Sequence, residues 1–307
     1  MGYVLHKKCN LFIRFYCLIF WYALCLGAQR IKRLSSIKHK LDRFDSMRLY
    51  QMQDIGGCRA IVSTVEHLYK MYEIMRIKDK DRSERGLKHK VIDAKDYVAT
   101  PKPSGYRGAH VVYSYVSDKV AGYNGLKIEI QLRTLQQHAW ATAVETVGLF
   151  TGQALKSSIG EQDWLRFFSL ASAGMSMYEG TPLVPGVPTS GDELRKELRE
   201  YYNQLSVSSV LSGYKSALTQ VDIKEKRNAR YYLMQIENKS ITVTPYKGAQ
   251  LEQAMNDYLD IEKKTLNIAD SNAVLVSADS IASLKSAYPN YFVDTEMFLH
   301  SIDKIIV

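Results

Sequence analysis

The segment Leu126–Thr134, LKIEIQLRT, alternates strictly: Ile128, Ile130 and Leu132 fall on one side of an extended chain, and Glu129, Gln131 and Arg133 on the other. Successive strand side chains point to opposite faces, so this segment sends three aliphatic groups into a core and presents an acid, an amide and a cation opposite. A sheet with one buried and one polar face follows. A half-exposed edge strand would show the same alternation, so the segment alone does not fix a function.

The surrounding sequence supplies more sheet. CRAIV (58–62) reads as a buried strand followed by an amphipathic helix, TVEHLYKMYEIMRI, while LKHKVIDA and GAHVVYSYV read as two further strands separated by turn-rich segments. Before them, RIKRLSSIKHKLDRF (Arg30 to Phe44) places Ile31, Leu34, Ile37, Leu41 and Phe44 at a helical period. Leu135 to Tyr178 is helical in pattern. TPLVPGVPTSG (181–191) holds three of the seven prolines and reads as a linker, ending in a capping box, Ser190 to Glu193, that opens a charged helix. From about Arg230 the order is strand (RYYLMQIE), strand (SITVTPY), helix (GAQLEQAMNDYLDIEKK), strand (AVLVSA) and two closing amphipathic helices. The expected organisation is an atypical apolar segment at 1–27, a main domain at 28–180, the linker at 181–191 and, at 192–307, a helical segment followed by a smaller C-terminal ββαβα domain.

A chain of 307 residues with 46% hydrophobic and 24% charged residues has the composition of a packed protein and not of a disordered one. The net charge of +9 favours an anionic partner such as nucleotide, nucleic acid or lipid, without choosing among them. Cysteines at 9, 17, 25 and 58 form no CxxC pair, and no HExxH occurs, which argues for reduced thiols in a cytoplasmic protein and against structural zinc. Leu11–Gly27 resembles a signal peptide or anchor, but Arg14 interrupts it and it is short of the roughly 20 apolar residues of a span. A buried first helix is preferred, with no stable membrane association.

Two stretches could carry chemistry with Glu129. Asp54 in MQDIGGCR precedes two glycines that would let backbone approach a phosphate. KDYVATPKPSGYRGAH (Lys95 to His110) sets Lys102 between two prolines and Tyr106-Arg107 between two glycines, so that Tyr106 could stack on a base. Two carboxylates among lysines and arginines suit magnesium and a polyphosphate.

These motifs resemble the synthetase domain of the RelA/SpoT family of alarmone synthetases. The resemblance runs from about Arg30 to Leu155. It rests on Arg30, Lys32, Ser36 and Lys40; on Asp54, Gly57 and Arg59; on KDYV, PKPSGY and AH; and on EIQLRT. It implies a nucleotidyltransferase-like mixed sheet flanked by helices, and a pyrophosphokinase in which Mg2+-bound ATP gives its β,γ-diphosphate to the 3′-hydroxyl of GDP or GTP. By that resemblance Asp54 and Glu129 are the catalytic metal ligands, and Glu129 also helps deprotonate the hydroxyl. Arg30, Lys32, Ser36, Lys40, Arg59 and Lys95 serve ATP and its phosphates, while Lys102, Tyr106, His110, Gln131 and Arg133 serve the acceptor. A toxic relative acting on the tRNA 3′ end and an inactive nucleotide- or RNA-binding module are the alternatives, and a homo-oligomer is compatible with either.

The sequence departs from the family pattern in three places. WATAVETVGLF keeps Trp140 and Glu145 but has Thr146 where the family often has His. No His-Asp dipeptide occurs, so the family's hydrolase activity is not expected. The first 27 residues resemble nothing in the family.

Overall fold

The computed structural model describes residues 26–31, 34–43, 46–77, 88–117, 120–151, 155, 161–217, 220–223, 229–237, 240–265, 272–277, 285 and 295–307. Its elements are, in order, β1 (Leu26–Ile31), α1 (Leu34–Arg43), β2 (Gly56–Val62), α2 (Val65–Met75), β3 (Lys90–Asp96), β4 (Ala109–Ser114), β5 (Lys127–Thr134), α3 (Leu135–Thr151), α4 (Gln162–Glu179), α5 (Gly191–Gln204), α6 (Val207–Ala217), β6 (Gln220–Ile223), β7 (Ala229–Glu237), β8 (Ser240–Lys247), α7 (Leu251–Thr265), β9 (Asn272–Ser277) and α8 (Glu296–Ile306).

The strands form a mixed sheet in the order β3-β4-β5-β2-β1-β9-β7-β8-β6. β5 is central, antiparallel to β4 and parallel to β2, so its polar face has strands on both sides and the edge-strand reading does not hold. Its aliphatic face does what alternation requires: Ile128, Ile130 and Leu132 join Ala60, Val111 and Tyr113 beneath Leu68 and Met71 of α2. Cys58 is buried in this same layer.

The second layer is helical. α3, α4, α5 and α8 pack around Trp140, Phe167, Phe168, Leu194, Leu198 and Phe298. α5 starts as its capping box requires, the Ser190 side chain accepting from the Glu193 N–H. α8 is seated tightly, for a Cβ on Gly174 of α4 would meet Ile305 Cγ2 at 2.8 Å. The smaller C-terminal region, β6 to β9 with α7, has its own core of Tyr231, Leu233, Tyr246, Tyr258 and Leu275, and β9 joins the main sheet by pairing with β1.

The first helix differs from its sequence expectation. Arg30 and Ile31 end a strand, and the helix begins only at Leu34. LGAQRI has little intrinsic strand preference; β2 on one side and β9 on the other supply hydrogen-bond partners for both its edges, and this pairing overrides the helical period. Of the two closing helices, α8 is present, whereas the stretch before it lies largely outside the described residues, as does the apolar segment 1–25. Among the described residues no helix is long and apolar enough to cross a membrane.

Candidate active site

Strand register sets out the polar face in rows. Lys95 pairs with His110, His110 with Gln131, and Gln131 with Arg59, so four polar side chains stand in line across β3, β4, β5 and β2. In the adjacent row Asp93, Val112, Glu129 and Gly57 follow one another. Asp54 lies just before β2, where Lys40 Nζ of α1 donates to its Oδ1 at 2.9 Å.

Gly57 has a steric role that sequence alone does not reveal. A Cβ there would sit 2.8 Å from the Glu129 carbonyl oxygen, which is backbone and cannot swing away. Gly57→Ala is therefore expected to force β2 from β5 at the site, costing about 1–3 kcal/mol and displacing Glu129; a denaturant midpoint and the activity of the variant check both.

Glu129 is largely enclosed, and both of its carboxylate oxygens are engaged. His110 Nδ1 lies 3.0 Å from its Oε1, and its Oε2 accepts from Gln131 Nε2 at 2.7 Å. Burial favours the neutral acid, but the hydrogen bonds and charge of His110 and the amide of Gln131 outweigh it and bring the pKa down to about 2, while Asp54 pushes the other way. Asp54 and Glu129 thus sense one another electrostatically.

Beyond His110 the chain of contacts continues. Tyr106 Oη stands 2.6 Å from His110 Nε2, and Arg133 Nη2 donates to the same phenol at 3.3 Å. Burial would lower the His110 pKa, yet the Tyr106 oxygen and Glu129 raise it to about 9. Burial likewise opposes ionisation of Tyr106, but Arg133 and His110 pull its pKa to about 7. The two titrate as a pair. The Tyr106 ring packs edge-on to Tyr97, His110 and Trp140, with Lys102 Nζ 4.3 Å from the Tyr97 centroid and 5.4 Å from that of Tyr106.

The pair has an unusual consequence for stability. The raised His110 contributes stability present below its unfolded value of roughly 6.5 and lost as pH rises through about 9. The depressed Tyr106 contributes stability present above roughly 10 and lost as pH falls through about 7. From about pH 7 to 9 the folded pair and the unfolded pair each hold one proton, so their slopes cancel. Tyr106→Phe removes the phenol and with it the largest influence that raises the His110 pKa, so the His110 imidazole resonances of that variant are expected to titrate below about 9.

Arg133 is 1% exposed, and its Nε and Nη1 have no hydrogen-bond partner among the described residues. Buried side-chain donors are ordinarily paired, and among the described residues these two are not. Lys95 is held by Asp93 at 3.1 Å, a hydrogen bond that raises its pKa.

The structure brings Lys40, Asp54, Arg59, Lys95, Lys102, Tyr106, His110, Glu129, Gln131 and Arg133 around one face. Arg30 stands on β1 opposite Gly57, and Ser36 on α1; Lys32 lies outside the described residues. Tyr97, the aromatic residue of KDYV, also packs here, its ring edge-on to Tyr106 and His110 and beneath Lys102 Nζ.

Residues 29–147 match the region found in RelA / SpoT proteins. Over these residues the chain resembles RelA/SpoT proteins. Among curated relatives, GTP pyrophosphokinase YjbM of Bacillus subtilis (strain 168) is 36% identical over 116 residues, 37% of this chain and 51% of that protein. GTP pyrophosphokinase YwaC of the same organism is 29% identical over 119 residues, 37% and 52% respectively. The RelA/SpoT match therefore spans about half the length of these relatives. The solved structure of small alarmone synthetase 1 from Bacillus subtilis bound to its product pppGpp is 26% identical, covers 57% of this chain and 87% of that one, and has a TM-score of 0.46.

Proposed function

We propose that this chain transfers the β,γ-diphosphate of ATP to the 3′-hydroxyl of GDP or GTP, making (p)ppGpp. The observation that carries the reading is that Asp54 and Glu129 act on one another electrostatically at one end of the parallel β2–β5 pair, beside the row of Lys95, His110, Gln131 and Arg59. The relatives named GTP pyrophosphokinase support the same reaction class.

Magnesium fits this donor set. Among the described residues no cluster of three or more His, Cys, Asp or Glu is assembled, but Mg2+ needs only one or two carboxylates beside phosphate and water oxygens. Asp54 and Glu129 offer oxygen alone, which suits it. When bound, it would offset charge on the β- and γ-phosphates and make the β-phosphorus more electrophilic.

The side chains supply the rest. Arg30, Lys32, Ser36, Lys40, Arg59 and Lys95 are assigned to ATP and its phosphates; Lys102, Tyr106, His110, Gln131 and Arg133 to the acceptor, whose anionic groups would satisfy the unpartnered Arg133 nitrogens. The acceptor 3′-oxygen bonds to the β-phosphorus as the bond between that phosphorus and the α,β-bridging oxygen breaks. AMP departs with the bridging oxygen, and the hydroxyl proton passes to Glu129. In a loose phosphoryl transfer the hydroxyl becomes acidic only late, so a carboxylate of low pKa suffices to receive that proton. AMP release that requires GDP or GTP is the expected result; folded protein releasing no AMP with either would overturn the reading.

A further inference from the structure

Tyr106 and Arg107 are neighbours whose side chains part company. Tyr106 meets His110, whereas Arg107 enters the helical layer and is 2% exposed. There its Nη1 donates to Glu179 Oε2 at 2.6 Å and to Thr181 Oγ1 at 3.1 Å, and its Nε to Ser172 Oγ at 3.1 Å. Glu179 is the last residue of α4 and accepts also from Thr134 Oγ1, at the junction of β5 and α3, and from Gln137 Nε2 at 3.5 Å.

α4 holds the same loop by its backbone. Ser172 Oγ donates to the Gly105 carbonyl at 2.6 Å, and Ser169 Oγ to that of Pro103 at 3.1 Å. Gly105 has φ +88°, and a Cβ on it would lie 2.9 Å from both the Phe168 carbonyl oxygen and Trp140. Every contact fixes where residues 101–108 run.

A buried ion pair is a poor source of net stability, because desolvation offsets the attraction, and here Arg107 Nη2 has no acceptor among the described residues. What the pair secures is position. We propose that Arg107 and Glu179 are positioning residues that hold the 101–108 loop in one conformation, presenting Tyr106 and Lys102 preformed to the acceptor nucleotide. The assignment of the acceptor rests on the pyrophosphokinase reading; the holding of the loop does not.

The test uses the full chain with Arg107→Met/Glu179→Gln, which removes both charges while keeping an oxygen for Thr134, a kind of replacement that buried pairs often tolerate. Amide exchange in residues 97–110 is expected to rise by about 10-fold while exchange in β5 stays unchanged. The acceptor KM should rise by about 10-fold with the ATP KM within about two-fold. A folded double variant with parental loop exchange and parental acceptor KM would overturn the proposal. If the double variant does not fold, Arg107→Lys, which keeps the charge but cannot span Glu179, Thr181 and Ser172 together, is read in the same way. If the parent transfers nothing, the pyrophosphokinase reading fails by itself, and loop exchange still decides whether the pair holds the loop.

Discussion

Glu129→Gln is expected to lose diphosphate transfer by about 10³-fold or more, because it removes at once a proton acceptor, typically worth about 10²–10⁴-fold, and a metal-binding charge. Folding should survive. The amide has the volume of the carboxylate and keeps one oxygen to accept from Gln131 or His110, the two groups that now hold Glu129. His110 would lose an anion that raises its pKa, so its imidazole resonances should titrate well below about 9 in the variant. A folded Glu129→Gln protein with parental turnover would show that the reacting atoms lie elsewhere.

Tyr106→Ala is expected to raise the acceptor KM by about 10- to 100-fold and to leave the ATP KM within about three-fold, since base stacking on an aromatic ring is worth about 1–3 kcal/mol. Turnover should fall too, because the phenol is the His110 partner at 2.6 Å and the ring packs on Tyr97 and Trp140. Tyr106→Phe separates the two effects: the ring remains, so acceptor affinity should be largely retained, while the hydrogen bond to His110 is lost. Equal KM increases for both substrates in the alanine variant would remove the stacking role.

Much of the site was legible because period-2 alternation is dictated by strand geometry. Glu129, Gln131 and Arg133 were placed on one face by LKIEIQLRT alone, and the β4 and β5 register then brought His110 beside Gln131. The unusual density of glycine and proline around Tyr106 likewise marked a shaped loop. What stayed hidden depends on partners distant in sequence. β1 is a strand because β2 and β9 pair with it, and β9 lies some 240 residues downstream, as Arg30 opposite Val276 illustrates. The Arg107–Glu179 pair is separated by 72 positions, and nothing local distinguishes Glu179 from any glutamate ending a helix. Gly57 looked like a phosphate-approach glycine, whereas the structure also shows backbone from the neighbouring strand where its side chain would be.

The most direct test of the account follows the fate of the β-phosphate. Purified protein is given Mg2+ and ATP labelled at that phosphorus, with GDP, GTP and deacylated tRNA offered separately and Glu129→Gln as control. Label on the guanine nucleotide, dependent on Glu129 and accompanied by AMP, is the expected result. Label on tRNA alone, or no transfer from folded protein to any acceptor, would contradict it.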